Sequence, residues 1–280
     1  MPRYLRYNGV PLTSIRSGTQ GVAIDDLYTF GTTKLYPIGA RWLDDSDGRV
    51  FRHVKASGTL NNDLLCQTVT AQHIAFAAAP VAAAAGDTQL SVTVAATDGA
   101  AAGGIVALNE LEGGYVVIFS DSVATMTRQI VGNTAVGANG GTTVLDLQHK
   151  LNVAVATADS YIEAMASPYA VVKASTTGDA NRGFVGLPNC MATTGTYCWI
   201  QTWGPCWVAP RGAVGNSGHS IQVVARYDGS LQVHEVYTAG DTPTATEYTN
   251  GVEQQHVGFV LTHATAGTQG APFVMLQISC

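Results

Sequence analysis

Charge is scarce in this chain. Asp, Glu, Lys and Arg together make up 12% of its 280 residues, about half the roughly 25% usual for soluble domains. The surface must then be neutral and polar, or largely covered by partners, and the second arrangement suits an ordered chain that belongs to an assembly. The net charge is −6 with 14 Lys and Arg in all. These basic residues form no cluster able to neutralise a run of phosphates, so direct nucleic-acid binding is not expected. Long apolar runs are missing too. AFAAAPVAAAA at 75–85 is too short for a membrane span and is broken by Pro80. The opening MPRYLRYNGVPLTSIRSG lacks the apolar stretch of a secretory leader, and none is expected.

Cysteine pairing motifs are also lacking. The five cysteines, at 66, 190, 198, 206 and 280, are odd in number and contain no CxxC. They predict reduced, buried thiols made in a cytosol and not a disulfide framework. Cys190, Cys198 and Cys206 recur every eight residues, on one strand face or on neighbouring strands, with no nearby ligands to complete a zinc site.

Catalytic signatures are missing as a group: no nucleophile elbow, HExxH, P-loop, strand-linked GxGxxG or calcium loop occurs. DDSDG at 44–48 resembles part of a calcium loop but lacks the later acidic ligand, and reads as a turn. The seven histidines, at 53, 73, 149, 219, 234, 256 and 263, are dispersed and read as structural. Asp25-Asp26 and Asp44-Asp45 are adjacent pairs, which a strand would send to opposite faces. The expectation is a protein that is not an enzyme, with no catalytic residues, cofactor or metal.

What is present is turn chemistry between short β-prone runs. Asp47-Gly48 separates Arg41-Trp42-Leu43 from Val50–Val54, a strong hairpin signal. Val50, Arg52 and Val54 alternate with Phe51, His53 and Lys55, as in a half-buried strand. Further strands are predicted at 89–94, 115–120, 125–131 and 143–147, with Asp98-Gly99, Gly103-Gly104, Gly113-Gly114 and Gly140-Gly141 at their turns. Residues 151–169, LNVAVATADSYIEAMASPY, read as a turn of helix or another strand. After Pro168 come strands at 169–173, 183–185, 197–203, 221–225, 231–237, 256–262 and 273–278. No amphipathic helix of ordinary length and no internal repeat is visible. The fold expected is all-β. A β-sandwich or barrel body (36–85 plus 166–280) would carry an inserted small β-barrel-like domain (86–165) and an extended N-terminal arm (1–35).

Three of the four tryptophans lie in YCWIQTWGPCWV at 197–208. In an extended strand Trp199, Gln201 and Trp203 share one face, and Cys198, Ile200 and Thr202 the other. Gly204-Pro205 is expected to bend the chain, with Trp207 opening a new run. Both faces are uncharged, which favours a strand buried on both sides over an aromatic stacking platform. Trp199, Trp203, Trp207 and Phe51 are therefore the expected core. In the arm, Arg3, Arg6 and Arg16, with Tyr4 and Tyr7, form the one basic and aromatic bias, suited to lying on an acidic partner.

The order of motifs resembles a group of tailed-bacteriophage virion structural proteins, of the capsid decoration or cement type. DGRVFRHVKA, LLCQ, GGYVVI, SPYAVV, GLPNCMATTGTYCWIQTWGPCWV and the closing HVGFVLTHA and PFVMLQIS carry the resemblance over residues 36–280. WIQTWGP is its most specific part. The cysteines and the first 35 residues depart from it. The resemblance implies a protein made in the host cytoplasm that binds the outside of a capsid and bridges capsomers. Its partners would be the major capsid protein and other copies of itself, a homotrimer being a form that decoration proteins take. Two rival readings stand beside it: a carbohydrate- or receptor-binding β module of a phage tail or fibre, and a β-fold hydrolase whose site converges from distant residues.

Overall fold

The computed structural model describes residues 4–7, 10–11, 27–44, 46–69, 72–99, 103–120, 124–157, 159–175, 183–211, 214, 221–233, 255–262 and 272–279. The chain is all-β, with two curled antiparallel sheets. It divides into two compact units, one made of Met1–Val69 with Val171–Cys280 and the other of Thr70–Ala170.

The second unit is a six-stranded sheet. Its strands are β6 (Gln72–Ala78), β7 (Gln89–Val94), β8 (Tyr115–Ser120), β9 (Ala124–Asn133), β10 (Gly141–Leu147) and β11 (Ser160–Met165). They pair in the order β6-β11-β8-β9-β10-β7. The sequence places the start of this unit at 86; it starts earlier, because β6 pairs with β11 from Gln72 onward. Alanine composition concealed that strand. Residues 160–165, left open between helix and strand, are β11. Inward positions of these strands, among them Ile74, Leu90, Val92, Val116, Ile118, Ile130, Leu145 and Ile162, share one core. A single sheet can enclose its own core only by curling, and the twist natural to β-strands supplies the curvature.

The first unit is a twelve-stranded sheet. β1 (Tyr4–Tyr7), β2 (Val10–Pro11), β3 (Arg41–Leu43), β4 (Val50–Lys55), β14 (Tyr197–Trp207), β15 (Gln222–Ala225), β16 (Leu231–Val233), β17 (His256–Thr262) and β18 (Phe273–Gln277) pair in the order β16-β15-β17-β18-β14-β4-β3-β1-β2. β5 (Cys66–Thr68), β12 (Val172–Ala174) and β13 (Phe184–Pro188) branch from it, with β13 joining β14 to β5.

The β3–β4 hairpin forms at the predicted turn. Asp44 is buried there and accepts hydrogen bonds from the Ser46 backbone N–H and hydroxyl at 3.1 and 2.6 Å. Asp47 holds Arg49 at 2.6 Å. Asp228 repeats the device, accepting from the Ser230 N–H and hydroxyl at 3.1 and 2.6 Å. Such Asp–Ser contacts let a side chain mimic a backbone turn. β4 is not half-buried as its alternation suggests. Val50, Phe51, His53 and Val54 are all buried, because β4 lies between β3 and β14 with cover on both faces.

The Trp-rich strand departs from expectation at its end. β14 does not stop at Gly204-Pro205 but runs through to Trp207. Gly204 adopts φ +101°, and a Cβ there would sit 2.8 Å from Arg49 Cγ and 3.0 Å from its Cα, so only glycine fits. The register against β4 shifts between Gln201 and Trp203. The Gln201 amide fastens this irregular stretch, donating to the carbonyls of Trp203 (3.2 Å) and Pro205 (3.0 Å). Residues 204–207 pair with β18 alone, which leaves an edge where the missing N–H of Pro205 costs no ladder bond.

Two described pieces of the N-terminal segment, β1 and β2, belong to the sheet. β1 pairs with β3 through Tyr4↔Leu43, Leu5↔Trp42 and Arg6↔Arg41. The boundary at residue 35 also moves. Leu27 is buried beside Trp42, Phe51 and Trp199, and Gly31 exchanges backbone hydrogen bonds with Tyr197 at 3.0 and 2.8 Å.

Candidate interaction surface

On the inserted unit, alternation leaves one set of side chains facing out. The register between β8 and β11 aligns three outward rows: Tyr161 with Phe119, Glu163 with Val117, and Met165 with Tyr115. Phe76 of β6 joins them. Its ring lies 4.8 Å from that of Tyr161, parallel to within 1°, and 5.4 Å from that of Phe119, edge-on. Phe76 is 53% exposed, Tyr115 42%, Tyr161 40% and Met165 39%. Across β6, β11 and β8 the described outward positions carry one charge, Glu163. Towards β9 the face turns polar, with Thr125 and Thr127 exposed. Contiguous exposed apolar patches are the kind of surface on which contact sites form.

Ring geometry narrows what this face can take. A pyranose stacks on an aromatic face held open to it. Here Phe76 and Tyr161 each cover one face of the other, so neither offers that face to a ring from outside.

The residues expected to matter are distributed differently. Trp199 and Phe51 are buried in the first unit's core. Around Trp199 stand Tyr36, Trp42 and His53, with ring centroids at 5.3, 5.6 and 5.2 Å. Burial pulls the His53 imidazole down to about 4, against the Pro37 and Tyr36 backbone, which favours its proton. Trp203 and Trp207 are only half-buried; Trp203 is the last residue of β14 paired with β4, opposite Val50, and Trp207 lies beyond that pairing. In the arm, the backbone of Tyr4, Arg6 and Tyr7 forms β1, while Arg3 and Arg16 lie outside the described residues.

Among the described residues the other polar groups form no constellation around a reactive centre. His73, buried on β6, meets Glu110 at 3.2 Å. An open groove of about 480 Å³ lies over β15, β17 and β18, and among the described residues His256 is its one titratable lining side chain. Among the described residues no three His, Cys, Asp or Glu side chains converge as a metal site. No helix in the described chain is long and apolar enough to cross a membrane.

The aromatic face went unread in the sequence, although its signal is there. In YVVIFS both alternating sets are apolar except at the ends, a pattern that reads as a strand buried on both sides. A single curled sheet covers one side only, and the other set is left outside.

The class that fold and surface together define is an all-β, two-unit protein with an uncovered aromatic sheet face. No protein-family model, curated protein or solved structure matches the chain.

Proposed function

We propose that the protein is a phage capsid decoration protein that binds the outside of the shell and bridges capsomers. The reading begins from the sequence resemblance, and the observation that supports it is the outward aromatic face of Phe76, Tyr115, Phe119, Tyr161 and Met165. A cement protein works by burying its own surface against neighbouring subunits, so that separating them costs free energy. It needs a rigid body and an apolar, weakly charged contact face. Aromatic side chains contribute most per residue to such contacts, and a β body loses little entropy on docking. The major capsid protein is the partner, and copies of this chain meet one another on the lattice.

The test is co-sedimentation of the purified full chain with empty shells of the phage that encodes it. Saturable binding and a higher shell rupture temperature are expected. A Phe76→Ser/Tyr161→Ser variant should keep its fold by circular dichroism and bind at least about 30-fold more weakly, equivalent to about 2 kcal/mol. Absence of binding by the unaltered chain refutes the proposal. Glycan binding lost in the same variant would favour the carbohydrate-binding alternative.

A further inference from the structure

Two of the cysteines are cross-strand neighbours. β13 and β14 pair through Leu187↔Gln201 and Pro188↔Ile200. The Asn189 N–H donates to the Trp199 carbonyl at 3.4 Å, carrying the same register one step further. Continued one more step past the end of β13, this register sets Cys190 opposite Cys198. Hydrogen-bonded and non-hydrogen-bonded rungs alternate in an antiparallel ladder, so Pro188, which lacks an N–H, and Cys190 both fall on non-hydrogen-bonded rungs. On such rungs facing Cα atoms lie about 4.5 Å apart, within the roughly 4.4–6.8 Å range that a disulfide spans.

The two thiols differ. Cys190 stands at the surface end of the pair with 9% of its area exposed, next to exposed Met191, while Cys198 retains 2%. The proximity of the two thiols favours the Cys190 thiolate and pushes the Cys198 thiol up, burial adding to the latter. This is the asymmetry of an attacking and a resolving thiol. The other described cysteines are placed otherwise. Cys66 is buried and donates to the Gly186 carbonyl at 3.2 Å, and burial pushes Cys206 up to about 12.

We propose that Cys190 and Cys198 are a reversible redox pair that closes to a disulfide on exposure to a low-molecular-weight disulfide. The Cys190 thiolate attacks one sulfur of the small disulfide, forming a mixed disulfide and releasing one small thiolate. Cys198, losing its proton to solvent, then attacks Cys190 Sγ and expels the second small thiolate. Two protein thiols are oxidised by two electrons and one small disulfide is reduced to two thiols. The bond ties the turn end of the β13–β14 hairpin, next to Trp199. A chain assembled in a reducing cytoplasm and then released would gain this link outside the cell.

The test uses the full chain, reduced, freed of reductant and equilibrated with oxidised glutathione. It is then acid-quenched, alkylated and cleaved with cyanogen bromide after Met191, which lies between the two cysteines, and with chymotrypsin, whose sites at Trp199 and Trp203 separate Cys198 from Cys206. The expected result is that the Cys190 and Cys198 fragments stay joined, that two alkylatable thiols are lost, and that dithiothreitol restores both. Cys198→Ala should trap glutathione on Cys190, and Cys190→Ala should abolish the link. Separate alkylation of both cysteines in the unaltered chain overturns the proposal. So does a stable glutathione adduct there, or a link from either cysteine to Cys66. The unaltered chain decides the matter even if Cys198→Ala does not fold.

Discussion

Replacing Trp199 with alanine would remove one of the two buried tryptophans of the first unit's core. Trp199 is 2% exposed, and its ring meets those of Tyr36, Trp42 and His53 at 5.2–5.6 Å. Large-to-small changes at such sites cost about 3–5 kcal/mol, of which each aromatic contact accounts for roughly 0.5–1.5 kcal/mol. The backbone around the site is held by β4 on one edge of β14 and by the Gln201 hydrogen bonds, so collapse into the cavity is restricted. A loss of about 4 kcal/mol is a large part of the 5–15 kcal/mol typical of whole domains, and it lowers Tm by roughly 8–16 °C for a unit of this size. All four tryptophans, at 42, 199, 203 and 207, lie in the first unit. Tryptophan fluorescence therefore follows that unit alone through a urea titration. Hydrogen exchange of peptides from 72–165 follows the other, whose core cluster shares no residue with that around Trp199, and its protection should persist. An unchanged urea midpoint in Trp199→Ala, with shell binding lost, would refute the reasoning and make the Trp strand a contact site.

His53 sets a pH dependence. Its folded pKa of about 4 lies below the ordinary value of 6.5, so the unfolded chain binds the extra proton. Stability is then fully present above about pH 6.5 and falls as pH drops towards 4, by about 3 kcal/mol in all; His53→Gln should flatten the urea midpoint across that window. Gly204→Ala should cost about 1–3 kcal/mol through its positive φ and the clash with Arg49, whereas Gly137→Ala, in open space at an ordinary φ, should leave the thermal midpoint nearly unchanged.

Much of the local structure is legible in the residues. Asp47-Gly48 and Asp228-Gly229 turn where turn chemistry places them, and the runs at 89–94, 115–120 and 256–262 are strands with those bounds. Other elements were hidden for physical reasons. β6 is rich in alanine, which carries no strand preference of its own, and becomes a strand by pairing with β11. Pro205 announces a bend, yet its strand continues because only β18 pairs with it there. Leu27, 172 residues from Trp199 in the chain (199 − 27), enters the same core through contacts that no local pattern encodes. The Cys190–Cys198 proximity likewise depends on a register that eight-residue spacing does not specify.

Period-two alternation in the sequence determined which side chains share a face: Tyr161 with Met165, Trp199 with Gln201, Ser160 with Ile162. Tertiary structure alone decided what covers each face. In β14 both faces of Cys198–Thr202 are buried, while in β8 and β11 one set is enclosed by the curled sheet and the other is exposed or half-buried. The reason is that alternation follows from local backbone geometry, whereas burial depends on how many layers pack around a strand, which is a property of the whole sheet.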